Sequence, residues 1–185
     1  MAFSVMTDEI LISVAFGSNL GDRSHHLSAA AAALGHVFRP VAASAVYGTA
    51  PQYVLDQPPF LNAVALYGCR VPPLEVLDIL QDLEWQHGRV RSLRHGPRTL
   101  DLDLLAYGDV VLETPRLVLP HPGIAERAFV LRPWADVAPG WRHPGTGQTV
   151  AGMLAQLGPV TDVIRDVAAT DSLGAAVQEC PVETV

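Results

Sequence analysis

The chain has 185 residues, of which 49% are apolar and 17% charged, the make-up of one globular domain rather than a disordered or fibrous protein. Its formal net charge of −7 argues against a nucleic-acid-binding face, which needs basic groups to replace counterions. All twelve basic residues are arginine, so chemistries that require a lysine amine, such as a P-loop or a Schiff base, are excluded.

Met1 to Glu9 carries two acids and no basic residue, and so lacks the start of a signal peptide. Ile10 to Phe16 is a short apolar, β-branched run stopped by Gly17, and reads as a strand. Gly17-Ser18-Asn19-Leu20-Gly21-Asp22 is turn chemistry. It matches neither GxGxxG nor the Walker pattern and is taken as a structural strand-to-helix turn. Asp22 can cap a helix running to about Leu34, with Leu27, Ala30, Ala31 and Leu34 on one face and Gly35 at its end. Val41 to Tyr47 reads as a second strand. Pro51, Pro58 and Pro59 forbid regular structure over 49–59, and Phe60 to Tyr67 is a third strand. Cys69 follows it; with Cys180 it makes no CxxC pair, which fits a reducing compartment. Pro72-Pro73 opens a helix with Leu74, Leu77, Leu80 and Leu83 as its stripe, ended by Gly88.

Thr99 to Tyr107 alternates with period two: Leu100, Leu102 and Leu104 on one face, Asp101 and Asp103 on the other. Val110-Val111 and Leu117 to Leu119 suggest a hairpin around Pro115. A helix over 125–136 is expected to break at Pro133. Beyond Gly158 the chain is acidic, alanine-rich and weakly patterned. Residues 1–160 are read as one domain and 161–185 as a poorly ordered tail. No run approaches the ~20 apolar residues of a membrane helix. The expectation is a cytoplasmic monomer with no membrane and no nucleic-acid partner. The order strand, helix, strand, strand, helix, strand is the α+β, ferredoxin-like βαββαβ arrangement. It predicts a four-stranded antiparallel sheet with helices on one face, plus C-terminal additions.

Asp101 and Asp103 carry the sharpest chemistry. Residues i and i+2 of a strand share a face, roughly 6.6 Å apart along the backbone. Two such carboxylates repel unless a cation lies between them, and magnesium takes one or two carboxylates plus substrate phosphates. A bare pair is as readily the solvated face of a half-buried strand. Here it follows Arg89, Arg91, Arg94 and Arg98, four arginines within ten residues of an acidic protein. Guanidinium groups clamp phosphate oxygens in forked pairs while a metal bridges them. His121, held between Pro120 and Pro122 and flanked by Arg116 and Arg127, can donate to a phosphate, although a lone loop histidine is as often structural. Phe60, Asn62 and Phe129 suit a flat polar ring, with aromatics for its faces and an amide for its edge. Singly, the phenylalanines would be core.

Taken together, Phe16-Gly17-Ser18-Asn19-Leu20-Gly21-Asp22, the stretch from Tyr47 through Asp56-Gln57 to Phe60-Leu61-Asn62, Gly88-Arg89-Val90-Arg91, Gly96-Pro97-Arg98-Thr99-Leu100-Asp101-Leu102-Asp103 and Pro120-His121 through Arg127-Ala128-Phe129-Val130-Leu131 resemble the 6-hydroxymethyl-7,8-dihydropterin pyrophosphokinase family. The resemblance implies a ferredoxin-like fold and transfer of diphosphate from ATP to the pterin, giving AMP, in folate biosynthesis. It implies two Mg2+ ions on Asp101 and Asp103, with Arg89, Arg91 and Arg98 as further catalytic groups. Gln81, Arg91, Arg98, Arg116, His121 and Arg127 would contact ATP. Thr49, Phe60, Asn62 and Phe129 would hold the pterin. His95 stands where the family often has tryptophan, Pro122 where some members have tyrosine, and Val118 where some have threonine.

Three alternatives stay beside this reading. A two-metal nucleotidyltransferase can place carboxylates on the same kind of sheet, but it wants a basic template groove. A ferredoxin-like ligand-binding or regulatory module has no use for Asp101 and Asp103 beside four arginines. A weakened relative of the family is suggested only by His95.

Overall fold

A computed structural model of the protein describes residues 8–51, 56–89 and 96–178. The central strand is β1, Ile10–Ser18. It leads through Asp22, whose carboxylate accepts from the His25 backbone N–H at 3.0 Å, into α1, Arg23–Gly35. Gly35 does not serve as a left-handed helix end. It is the last helical residue, and His36 caps the helix in a right-handed conformation before the chain turns directly into the next strand.

The expected second strand is split into β2, Arg39–Ala43, and β3, Val46–Thr49. Both pair antiparallel with β4, Phe60–Cys69. Ser44 bridges the break. Its N–H donates to the Val64 carbonyl and its hydroxyl accepts from the Val64 N–H, both at 2.9 Å, so a side chain replaces one rung of the ladder. Next comes α2, Pro73–Gln86. Its buried stripe is Val76, Leu80 and Leu83 with Glu84, whereas Leu74 is exposed. The expected run of i, i+3 leucines drifts around the helix; the i, i+4, i+7 set keeps one face.

The fourth expected strand is β5, Asp101–Tyr107, which pairs with β1. With β1 bonded on its other side to β4, the strands take the order and antiparallel sense of the ferredoxin-like α+β fold. The small hairpin is formed by β6, Leu112–Glu113, and β7, Val118–Leu119. A 3-10 turn at Ile124–Glu126 precedes α3, Ala128–Val137. Pro133 does not break α3: burial of Val130, Leu131 and Trp134 against the sheet outweighs the backbone bond it removes.

α4, Val150–Gln156, packs beside α3. Together they cover the sheet face opposite α1 and α2, over Val64, Leu105 and Ala106. A register shift against Ser13 and Val14 leaves Leu105 and Ala106 both on that side.

The C-terminal segment departs from the expected poorly ordered tail. Val163–Asp166 forms β8, which extends the sheet by pairing with β3. Val167–Gln178 forms α5. Its Ala169, Leu173 and Val177, spaced by four, are buried in the same core as Leu27 and Leu34 of α1. The Thr170 hydroxyl accepts from the Val46 N–H at 2.9 Å, fastening α5 to β3. Among the described residues, no helix is long and apolar enough to cross a membrane.

Candidate active site

The face of the sheet that carries α3 has a cleft of about 230 Å³ at the Asp101 end of β5. Its floor follows from strand register. Asn62, Gly17 and Asp101 lie in one row across β4, β1 and β5; Val64, Ala15 and Asp103 lie in the next. Directly paired residues share a face, so Asn62 and the two carboxylates point the same way across the small residues of β1. A Cβ at Gly17 would stand 3.5 Å from the Asn62 Oδ1 and 3.7 Å from the Asp101 Cβ, filling the space between them.

Ten of the residues singled out from the sequence line this cleft: Thr49, Phe60, Asn62, Arg89, Arg98, Asp101, Asp103, His121, Arg127 and Phe129. Asn62 donates through Nδ2 to the Thr49 hydroxyl at 2.7 Å, which fixes its amide. Asp101 is paired with Arg98 and, at 2.8 Å, with Arg89. Asp103 faces His121 Nε2 at 3.8 Å and Arg127 Nη1 at 3.9 Å, too far for direct hydrogen bonds. Its side chain is 37% exposed and lines the cleft. Burial, and then the Asp101 carboxylate, raise its pKa, against the pull of His121, Arg127 and Arg98. The Arg127 guanidinium also stands 6.0 Å from the Phe129 ring centre, joining the charged and aromatic ends of the cleft.

Gln81 and Arg116 are not among the residues that line it. Arg116 pairs with Asp78 on the surface of α2, one turn before Gln81. Arg91, Arg94 and His95 lie outside the described residues.

The carboxylate pair suits a hard cation. Asp101 and Asp103 offer only oxygen donors, and Asp103 is held in a setting that penalises its lone charge. No group of three or more His, Cys, Asp or Glu converges as a closed metal cage among the described residues. An ion here would keep positions for water and phosphate, as magnesium prefers.

The model of the 7,8-dihydro-6-hydroxymethylpterin-pyrophosphokinase (HPPK) family matches residues 13–139. The chain belongs to the HPPK family. It is 47% identical over 133 residues to a 2-amino-4-hydroxy-6-hydroxymethyldihydropteridine pyrophosphokinase of Pseudomonas aeruginosa, covering 71% of this chain and 82% of that protein. It is 42% identical over 145 residues to the protein of the same name from Methylorubrum extorquens, covering 77% and 90%. A solved HPPK-DHPS chain of Plasmodium falciparum superposes with a TM-score of 0.67 at 12% identity, covering 84% of this chain and 43% of that one; it speaks for the fold alone. The present chain spans less than half of that larger protein.

Three polar residues in or beside this HPPK cleft receive no site role from the sequence; only Gln57 among them lines it. Asn19, in what reads as a turn, staples two loops. Its Nδ2 donates to Gln57 Oε1 and to the Pro58 carbonyl, both at 3.0 Å, and its Oδ1 accepts from the Arg98 N–H at 2.7 Å. Glu84 is 3% exposed, its Oε1 accepting from the Leu102 N–H at 2.8 Å and from Arg89. Burial pushes its carboxyl up to about 7, against the Leu102 amide and Arg89, with Asp101 and Asp103 adding to the rise. The one signal for it in the sequence is an acid set beside the apolar stripe of α2.

Proposed function

We propose that this chain transfers the terminal diphosphate of ATP to the hydroxymethyl oxygen of 6-hydroxymethyl-7,8-dihydropterin, releasing AMP, as its HPPK relatives' names describe. The observation that carries this reading is the meeting of two chemistries in one cleft. At one end Asp101, Asp103, Arg89, Arg98, His121 and Arg127 suit a metal-bound polyphosphate; at the other Phe60, Phe129, Asn62 and Thr49 suit a flat heterocycle.

Asp101 and Asp103 would hold two magnesium ions. Magnesium, when bound, neutralises charge on the phosphate oxygens. Arg89 and Arg98 bind the transferring diphosphate, and His121 and Arg127 hold the rest of the triphosphate from the opposite wall. Asn62, its amide fixed by Thr49, orients the pterin edge, and Phe60 and Phe129 stack on its faces. The hydroxymethyl oxygen is thereby held in line with the β-phosphorus. Its bond to the β-phosphorus forms as the bond from that phosphorus to the bridging oxygen breaks; this oxygen leaves with AMP, and the hydroxyl proton is released to water. Positioning and charge neutralisation carry the acceleration. Gln81 and Arg116 are assigned to the outer part of the nucleotide, along α2, and Arg91 to completing the phosphate site. The reading goes with a cytoplasmic monomer acting on small molecules only, residues 1–160 carrying the catalytic machinery.

The test is incubation with ATP, Mg2+ and 6-hydroxymethyl-7,8-dihydropterin. AMP and the pterin diphosphate should appear together, and AMP should be absent without the pterin. ADP in place of AMP would mean single-phosphoryl transfer and overturn the reading.

A further inference from the structure

Strand β5 is an edge of the sheet, hydrogen-bonded to β1 on one side only. On its free side the Leu102 N–H, set between Asp101 and Asp103, meets no strand. The Glu84 carboxylate takes that place, accepting from it at 2.8 Å. The same Glu84 oxygen accepts from Arg89 Nη1, and that nitrogen also lies 2.8 Å from Asp101 Oδ1. Arg89 therefore stands between two carboxylates: one at the floor of the cleft, the other buried behind it.

Capping a single amide needs only a carbonyl oxygen, and glutamine would supply one without a buried charge. A carboxylate with 4% of its side chain exposed is costly unless its charge is matched. Arg89 is the cation that matches it. Asp101, by contrast, has a second duty, because a cation in the cleft competes with Arg89 for its oxygens. Glu84 faces no such competitor: it is walled off by α2 and β5.

We propose that Glu84 is a positioning residue that keeps the Arg89 guanidinium aimed into the cleft when the Asp101 oxygens are drawn to a bound cation. This rests on the assignment above of Arg89 to the transferring diphosphate. Glu84 also ties the end of α2 to the strand segment that bears both aspartates.

Two double-mutant cycles test this, one on turnover and one on stability without ligands. Glu84→Gln keeps the oxygen for Leu102 and loses the charge. It should lower kcat about tenfold or more with the KM for ATP and for the pterin little changed, the signature of an interaction used in the transition state. In an Arg89→Ala background the same change should cost less than about twofold, because Glu84 acts through Arg89. In metal-free protein at about pH 8, above the Glu84 pKa of about 7, Arg89→Ala should lower Tm by stranding the buried carboxylate, and adding Glu84→Gln should restore it. Equal kcat losses in both backgrounds would overturn the positioning role, as would a Tm that Glu84→Gln does not restore. A wild-type protein that makes no AMP would instead defeat the functional reading; the Tm cycle needs no substrate and still decides whether Glu84 holds Arg89.

Discussion

Asp103 shows how a side chain can be poorly placed for stability and well placed for chemistry. Burial and the neighbouring Asp101 both oppose its charge, and the cations facing it stand beyond hydrogen-bonding distance. Such a carboxylate is poised to gain from a metal-bound phosphate, because the ion removes the repulsion that the fold leaves uncompensated. Asp103→Ala should therefore abolish turnover, by about a thousandfold or more if the metal contribution of several kcal/mol is lost. The same change should leave the metal-free Tm unchanged or raised, since a repelling charge has gone. A folded Asp103→Ala protein with near-normal turnover would overturn the proposed metal-binding role of this residue. A large fall in Tm would show that its carboxylate is structural.

Among the elements, legibility in the sequence depends on how regular each signal is. The alternation from Leu100 to Leu104 is strict, before the register shift in β5, so periodicity alone puts both aspartates on one face. Strands β2 and β3 read as one because Ser44, the residue that parts them, breaks the pattern with a side chain that imitates backbone. Glu84 is hidden for a related reason: on a helix, an acid one position from the buried stripe looks like a solvated flank, and only the edge of β5 turns it inward. The last helix is hard to see because Ala169, Leu173 and Val177 form so narrow a stripe within an alanine-rich run. That stripe nevertheless carries weight. Leu173 is fully buried, and Leu173→Ala should cost about 2–4 kcal/mol, seen as a lower denaturant midpoint. Because Leu173 does not line the cleft, kcat measured well below Tm should hold. An unchanged midpoint would mean that α5 is not docked in solution.

The cleft draws on both layers of the molecule. Arg127 and Phe129 come with α3 from one face of the sheet, while Arg89 comes from the end of α2 on the other and reaches the site around the edge of β5. The layer behind the sheet must therefore hold its own helices in register for Arg89 to arrive correctly. One contact doing so is a histidine clasp: His26 of α1 and His87, the cap of α2, meet Nδ1 to Nδ1 at 3.0 Å, two residues before Arg89. One ring must donate and the other accept, so the bond cannot survive protonation of both. Burial first, then His26 and His25, lower the His87 pKa below its usual 6.5. The unfolded chain then binds a proton at this position sooner than the folded one as pH falls. The stability associated with neutral His87 is thus fully present above about pH 6.5 and is lost as the pH drops below it. Urea midpoints measured from pH 7.5 to 5 should fall more steeply for the wild type than for His87→Gln, which keeps an amide for His26 but has nothing to titrate. Carboxylates elsewhere titrate alike in both proteins and cancel in the difference. Parallel curves would show that the clasp does not couple α1 and α2 to pH. A divergence confined to the window below 6.5 would tie acid sensitivity to the joint that aims Arg89.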